Sequence, residues 1–463
     1  MSGTIVRGAW VLTMGPEGAI REGAVAFDGE GRIEAVGAAE ELVAANPDAE
    51  VVGDGNGIVL PGFVNAHTHL TEGLITGMGE TAVLWEWFER VVNPAGINIT
   101  REEVALGTRL KAVEMLESGI TTVNDMCCHR NLGSLASLGA VDGLSEFGMR
   151  GVVSFGAEDT YDGSPDADVF MAEHEALADR IAPEELIDFR IGVGTVLGMS
   201  DELFERTIAA AGENGWAVHT HLAEVREEVT ESTLLHGAST IQHAERSGLL
   251  DHEVIAGHCI WCSETDIGLL ASKDVAVAHN PVANMILASG VCPVPRLLRE
   301  GVRIGIGTDG AASNDSQDMF GAIKTAALLQ KVHHLQAVAM TAPQVLEMAT
   351  IGGAKALGME KEIGSLEVGK RADVVLLDGN GPELAVLHDP FQQIVYGATP
   401  RSVSEVWVDG KLRVTGAETV GVDRTALATE AREAARDLAI RGEMKGESAY
   451  AGPLDFESFE EGK

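Results

Sequence analysis

Apolar and polar positions change rhythm twice along this chain. From Thr4 to Leu60 they fall into short alternating segments broken by glycine, as in "GAVAFDGEGRIEAVG", the period of half-buried antiparallel strands. The same rhythm returns in "RADVVLLDG" and "VSEVWVDGKLRV", where Asp409 and Gly410 mark a two-residue hairpin turn. The two ends are therefore expected to share one small β-sandwich.

Between them, apolar strands alternate with amphipathic helical stretches: "TTVNDM", "GVVSFG", "FRIGVG", "WAVHTH", "VIAGHC", "VAVAHN" and "VRIGIGTD". With the strand that carries His67 this makes about eight units, the number a closed (β/α)8 barrel requires. An open doubly wound sheet is the competing α/β arrangement. The barrel is favoured because polar residues (His67, Asn124, His221, His258, His279, Asp309) sit at strand carboxyl ends, where barrel catalytic groups converge. The expected organisation is 1–58 for the first part of the sandwich, 59–370 for the barrel, 371–418 for the second part, and 419–463 for a C-terminal helix and frayed tail.

Composition narrows the setting. The 463 residues suffice for a barrel plus a small module, and 45% of them are hydrophobic, yet no apolar run reaches the roughly 18 residues of a membrane helix. The N-terminus enters the alternating pattern without a basic start and apolar stretch, so no secretory signal is visible and a cytoplasmic location is expected. Seventy-one acidic against 33 basic residues give a formal charge of -38, which repels nucleic acid and anionic membranes. That balance, interspersed with periodic apolar positions, is the solvated acidic shell of halophilic proteins. Five cysteines, Cys127, Cys128, Cys259, Cys262 and Cys292, are too sparse for a disulfide framework, and the C-x-x-C at Cys259 has no second pair; buried thiols are expected.

The chemistry is carried by histidines. In "GFVNAHTHL", His67 and His69 stand two apart, so on a strand both imidazoles share a face and can grip one ion. "WAVHTHLAEV" repeats the pattern with Glu224 three residues after His221; His219 could face the helices while His221 faces the barrel mouth. "AGHCIW" ends another strand with His258 and "IGIGTDGAASND" a later one with Asp309. Each signal alone is modest, but packing does not ask for four in succession at strand ends. Gly305, Gly307 and Gly310 match a dinucleotide fingerprint, but Asp309 inside the turn would repel a pyrophosphate. Those glycines are expected to let the backbone pass close to the metal.

Together "PGFVNAHTHL", "HTHLAEV", "AGHC", "HNPVANMILASG" and "GTDGAASNDSQDM" resemble the amidohydrolase superfamily, in its triazine hydrolase and nucleobase-type deaminase (TRZ/ATZ) branch, and "GSLEVGKRADVVLLD" extends the likeness nearly to the end of the chain. The resemblance implies that His67, His69, His221 and Asp309 hold one Zn²⁺, or Fe²⁺, with Glu224 and His258 flanking the water it activates. Asp309 would take the water's proton, Glu224 would protonate a ring nitrogen, and His258 would polarise the attacking oxygen. Binuclear relatives bridge two ions with a carboxylated lysine; here no lysine lies between Lys111 and Lys273, which supports one ion.

The substrate expected from the resemblance is a small amino-substituted heterocycle, deaminated or dehalogenated. "HTHLTEGL", with Glu72, and the Trp85–Glu86–Trp87 segment are similar to triazine hydrolases, Trp87 offering a face for a flat ring. Nucleoside deaminases of the branch carry a glutamate where this chain has Pro94, Ala95 and Gly96, and a histidine that "GVGTVLGMS" lacks, which weighs against a nucleoside. A methylthioadenosine, S-adenosylhomocysteine or guanine-type deaminase is the runner-up, and a non-catalytic metal-binding scaffold the distant one. Asn124, His129 and Asn314 are further candidate substrate contacts, although Asn314 could instead cap a helix, as Asp125 could cap a turn. His279, Asn280 and Asn284 are expected beside the metal strands, the asparagines orienting the loop. The helix near Thr425–Ile440 either joins a neighbouring copy in a homodimer or larger assembly or packs on its own barrel.

Overall fold

The computed structural model describes residues 3–444 and, beyond them, only the short strands Glu447–Ser448 and Gly452–Pro453. The expected frayed tail lies largely outside the described residues. The alternating N-terminal text forms β1 (Thr4–Leu12), β2 (Ala19–Phe27), β3 (Ile33–Ala38), β4 (Glu50–Val52) and β5 (Ile58–Pro61). After Gly62 the chain enters β6 (Phe63–Thr68), the first strand of a parallel series. This continues through β7 (Ile120–Cys127), β8 (Arg150–Phe155), β9 (Ile187–Phe189), β10 (Ile191–Thr195), β11 (Val218–Leu222), β12 (Val254–His258), β13 (Ala276–His279) and β14 (Ile304–Ile306). Antiparallel text resumes in β15 (Val374–Leu377), β16 (Val403–Val408), β17 (Lys411–Thr415) and β18 (Glu418–Thr419).

Both chain ends build one nine-stranded sheet, ordered β18-β17-β16-β15-β5-β1-β2-β3 with β4 on β1. Its seam is β5, antiparallel to β15 (Leu60 opposite Val375) and parallel to β1 (Trp10 opposite Ile58). The β16–β17 hairpin turns at Asp409 and Gly410, both with positive φ (54° and 72°) as a primed turn demands. A Cβ on Gly410 would lie 2.4 Å from the Gly31 Cα, so only glycine allows this hairpin to touch the loop between β2 and β3.

With β9 and β10, separated only by Arg190, counted as one, the parallel strands form the (β/α)8 barrel that the sequence pattern predicts, with a small β-sandwich beside it. One arc runs β6-β7-β8-β9 and the other β10-β11-β12-β13-β14. A bridge between Ala157 and Val193 links the arcs on one side. On the other, Asn65 receives the Thr308 N–H (3.0 Å) and donates to its hydroxyl (2.7 Å), while the Asp309 N–H reaches the His67 carbonyl at 2.9 Å. Most residues of these strands are buried on both faces, which explains their continuous apolar runs. Among the described residues, no helix is long and apolar enough to cross a membrane.

The terminal helix, Arg424–Arg441, lies on its own barrel: Arg441 pairs with Glu103 at 2.7 Å and Leu438 is buried. All five cysteines are free; Cys127, Cys259 and Cys292 are buried as expected, but Cys128 and Cys262 are only partly so.

Candidate metal centre

Strand ends deliver the site. His67 and His69 leave β6, His221 leaves β11, and Asp309 follows β14; all four are buried. The Nε2 of His221 lies 3.2 Å from those of both His67 and His69, and Asp309 Oδ1 lies 3.4 and 3.5 Å from the same two nitrogens. A tetrahedral zinc with Zn–N bonds near 2.0–2.1 Å spaces its ligand atoms about 3.3–3.4 Å apart. These four distances match the edge lengths of such a polyhedron, so the cluster is able to hold a divalent ion.

The hydrogen bonds behind the cluster fix which nitrogens face its centre. His69 Nδ1 donates to the Met126 carbonyl and His221 Nδ1 to the Gly194 carbonyl, each at 2.7 Å. A carbonyl only accepts, so both rings carry their proton on Nδ1 and turn a bare Nε2 lone pair to the centre. Burial lowers the pKa of all three imidazoles, His69 to about 4, which keeps them neutral and able to ligate. For Asp309 burial works the other way, but the His258, His67 and His69 imidazoles outweigh it and hold the carboxyl well below its usual range.

Across the centre, His258 Nε2 stands 3.8 Å from Asp309 Oδ2 and 3.4 Å from Glu224 Oε2. Its Nδ1 is bonded to Asn284 Oδ1 at 2.8 Å, so Asn284 orients the His258 ring and not the loop expected from the sequence. Burial opposes a charge on His258, yet the facing Glu224 and Asp309 carboxylates raise its pKa. Burial lifts Glu224 to about 7, against the pull of His258. A carboxyl poised there can give up or take a proton near neutrality. Both His258 and Asp309 adopt left-handed backbone, φ 70° and 66°, conformations that non-glycine residues tolerate where surrounding structure imposes them, as at functional sites.

A cavity of about 380 Å³ opens onto this group and is lined by His69, His221, Glu224, His258 and Asp309. Of the expected substrate contacts, Glu72 and Trp87 line it. Glu72 is buried and its pKa is pushed up, although its carboxylate accepts the Ala312 N–H at 2.9 Å. Asn124, His129 and Asn314 are placed elsewhere. Asn124 lies within the barrel, donating to the Ala66 carbonyl; His129 bonds the buried Glu173 at 2.8 Å; Asn314 folds back onto the Thr308 carbonyl at 2.6 Å. Each is held by a hydrogen-bond partner, and none lines the cavity. Asp125 accepts the Leu70 N–H at 2.7 Å, so it holds the turn that follows β6 and not the next turn after its own strand. The glycine-rich turn is packed rather than open: a Cβ on Gly307 would lie 2.1 Å from Asn280 Oδ1, and one on Gly310 1.9 Å from Glu72 Oε2.

Sequence reasoning overlooked Glu89, Arg130 and Glu158, which line the same cavity. Arg130 and Glu158 each follow the end of a barrel strand by three residues, the position that singled out the histidines. His219 also departs from expectation: residues two apart on a strand share a face, so it points inward beneath His67 rather than toward the helices.

Comparison with known proteins adds the chemistry of relatives. The amidohydrolase family matches residues 58–413. A 5'-deoxyadenosine deaminase of Methanosarcina acetivorans is 34% identical over 443 residues, covering 95% of this chain and 99% of its own. A 5-methylthioadenosine/S-adenosylhomocysteine deaminase of Desulforudis audaxviator is 37% identical over 435 residues, 94% of this chain and 98% of its own. Among solved structures, a zinc-bound adenosine deaminase from Xanthomonas campestris superposes with a TM-score of 0.88 at 32% identity, covering 95% and 99% of the two chains. A zinc-bound atrazine chlorohydrolase from Arthrobacter aurescens, at 23% identity, TM-score 0.85, and 93% and 100% coverage, shares the fold.

Proposed function

Because the chain belongs to the amidohydrolase family, we propose that it is a metal-dependent hydrolytic deaminase of adenine-type nucleosides, with 5'-deoxyadenosine, methylthioadenosine and S-adenosylhomocysteine as the substrates to test first. The relatives that share a third of their residues over nearly the whole chain act on such nucleosides, and this moves the reading away from triazines. The absence of a glutamate at Pro94–Gly96 does not leave a sugar without acceptors: Glu89, one turn earlier, and the half-buried Glu158 both line the cavity. The faces of Trp85, Trp87 and Phe88 suit a purine.

The observation that carries the proposal is the convergence of a zinc-sized ligand set with Glu224 and His258 at one end of this cavity. We assign His67, His69, His221 and Asp309 as ligands of a single Zn²⁺, Fe²⁺ being the alternative. A bound divalent ion supplies Lewis acidity, making hydroxide available near neutral pH. Glu224, protonated at its raised pKa, delivers a proton to the ring nitrogen beside the carbon under attack. His258, held by Asn284, donates to the incoming oxygen, and Asp309 accepts the proton that the oxygen sheds. Asp309 then passes that proton to the departing amino group, which leaves as ammonia while the ring keeps the oxygen.

Metal-loaded protein assayed for ammonia release over a panel of those nucleosides, adenosine, guanine and amino- and chlorotriazines tests the reading. Turnover of the adenine nucleosides is expected, with close to one zinc per chain by elemental analysis. Turnover of triazines alone defeats the substrate assignment, and a loaded protein inert on the whole panel favours a scaffold.

A further inference from the structure

The ligand histidines are not supported alike. Two of them donate Nδ1–H to backbone carbonyls, which leaves no choice of tautomer, but His67 Nδ1 faces the Nε2 of His219 at 2.8 Å, and an imidazole nitrogen can donate or accept. The direction is settled further back. His219 Nδ1 lies 3.0 Å from Ser154 Oγ, and that hydroxyl is 2.9 Å from the Asp125 carbonyl. A serine has one proton, and the carbonyl can only accept it, so Ser154 must accept from His219 Nδ1–H. Neutral His219 is then bare at Nε2 and must accept from His67. Asn124 agrees: its amide nitrogen donates to the Ala66 carbonyl at 2.8 Å and reaches the same His219 Nε2 at 3.3 Å. All these side chains are fully buried, where an unmet donor or acceptor is costly.

We propose that His219 is a positioning residue for the metal centre, part of a one-way hydrogen-bond chain from the Asp125 carbonyl through Ser154 and His219 that holds His67 in the Nε2-ligating tautomer. The inference rests on His67 being a ligand, as assigned above, but it concerns a residue outside the ligand set. The chain has no carboxylate, the group that commonly supports a ligand imidazole. A second neutral imidazole therefore does this work in a barrel interior that offers His67 no carbonyl.

Zinc affinity, measured by competition with a chromophoric chelator, and the visible spectrum of the Co²⁺-loaded protein test the proposal without reference to any substrate. His219→Phe keeps bulk but removes the acceptor; it should lose about 10- to 100-fold in affinity and shift the Co²⁺ bands. His219→Gln, which keeps an acceptor oxygen, should recover most of both. Phe and Gln variants with wild-type affinity and spectrum would overturn the proposal. If His219→Phe does not fold without metal, Ser154→Ala decides: a several-fold affinity loss with unchanged apo-protein melting supports the chain, and no loss refutes it. Wild-type protein that binds no zinc would instead defeat the ligand assignment, a distinct result.

Discussion

At the scale of single residues, the candidate centre was legible because ligation asks for particular side chains at strand ends, and few other demands produce H-x-H twice with a carboxylate beyond. What surrounds those ligands was not legible. Met126 and Gly194 contribute only carbonyls, which leave no trace in the sequence, and Ser154 meets His219 across strands far apart in the chain. Glu224→Gln keeps the shape of the acid and removes its proton. The variant should retain zinc by elemental analysis and lose about 10²- to 10⁴-fold in kcat; a loss under tenfold would mean that another group protonates the ring. A second residue contributes to acid sensitivity. His174 is buried against Phe155 with neither ring nitrogen hydrogen-bonded, and burial lowers its pKa to about 4. Unfolded, the ring takes a proton near pH 6.5, so the unfolded state binds more protons between pH 6.5 and 4 and stability falls as pH drops through that window. His174→Phe should flatten this limb, gaining about 1.6 kcal/mol over wild type on going from pH 6.5 to 5, as read from urea unfolding at both values.

At the scale of elements, strands whose two faces are both buried announced themselves as apolar runs, and every barrel strand read from the sequence is present. The cavity wall was harder to read. One side of it comes from the segment between β6 and β7, where the helix Leu84–Trp87 passes into a π-helical turn at Phe88–Val92 and then into the helix Asn93–Asn98. That change of pitch swings Glu89 toward the cavity, and no fixed helical period foretells it. Closure of the barrel rests on an equally local feature. Gly305 on β14 faces β6 so closely that a Cβ there would lie 2.5 Å from the Ala66 Cβ and 3.1 Å from the Gly353 Cα. Gly305→Ala should cost about 1–3 kcal/mol in denaturant midpoint measurements. Ala66→Gly in the same chain should return a good part of it, and an absence of rescue would place the strain elsewhere.

For the molecule as a whole, the formal charge of -38 acts through repulsion that salt screens, with a Debye length of about 10 Å at 0.1 M and about 3 Å at 1 M. Partners cannot neutralise it internally, since acids outnumber bases 71 to 33. The melting temperature should climb steadily as KCl is raised from about 0.1 to 2 M. An uncharged osmolyte at matched osmolality should do less, and a flat KCl series would show that the acidic shell carries no such repulsion. The shared sheet also sets a timetable for biosynthesis. On the ribosome, β5 meets β1 early but waits for its other neighbour until Val374 has emerged, long after His67, His69, His221 and Asp309 have left the exit tunnel. An ion captured by the nascent polypeptide would pin the barrel before the seam between its two ends is sewn, making metal supply during translation a determinant of how much of the product escapes misfolding.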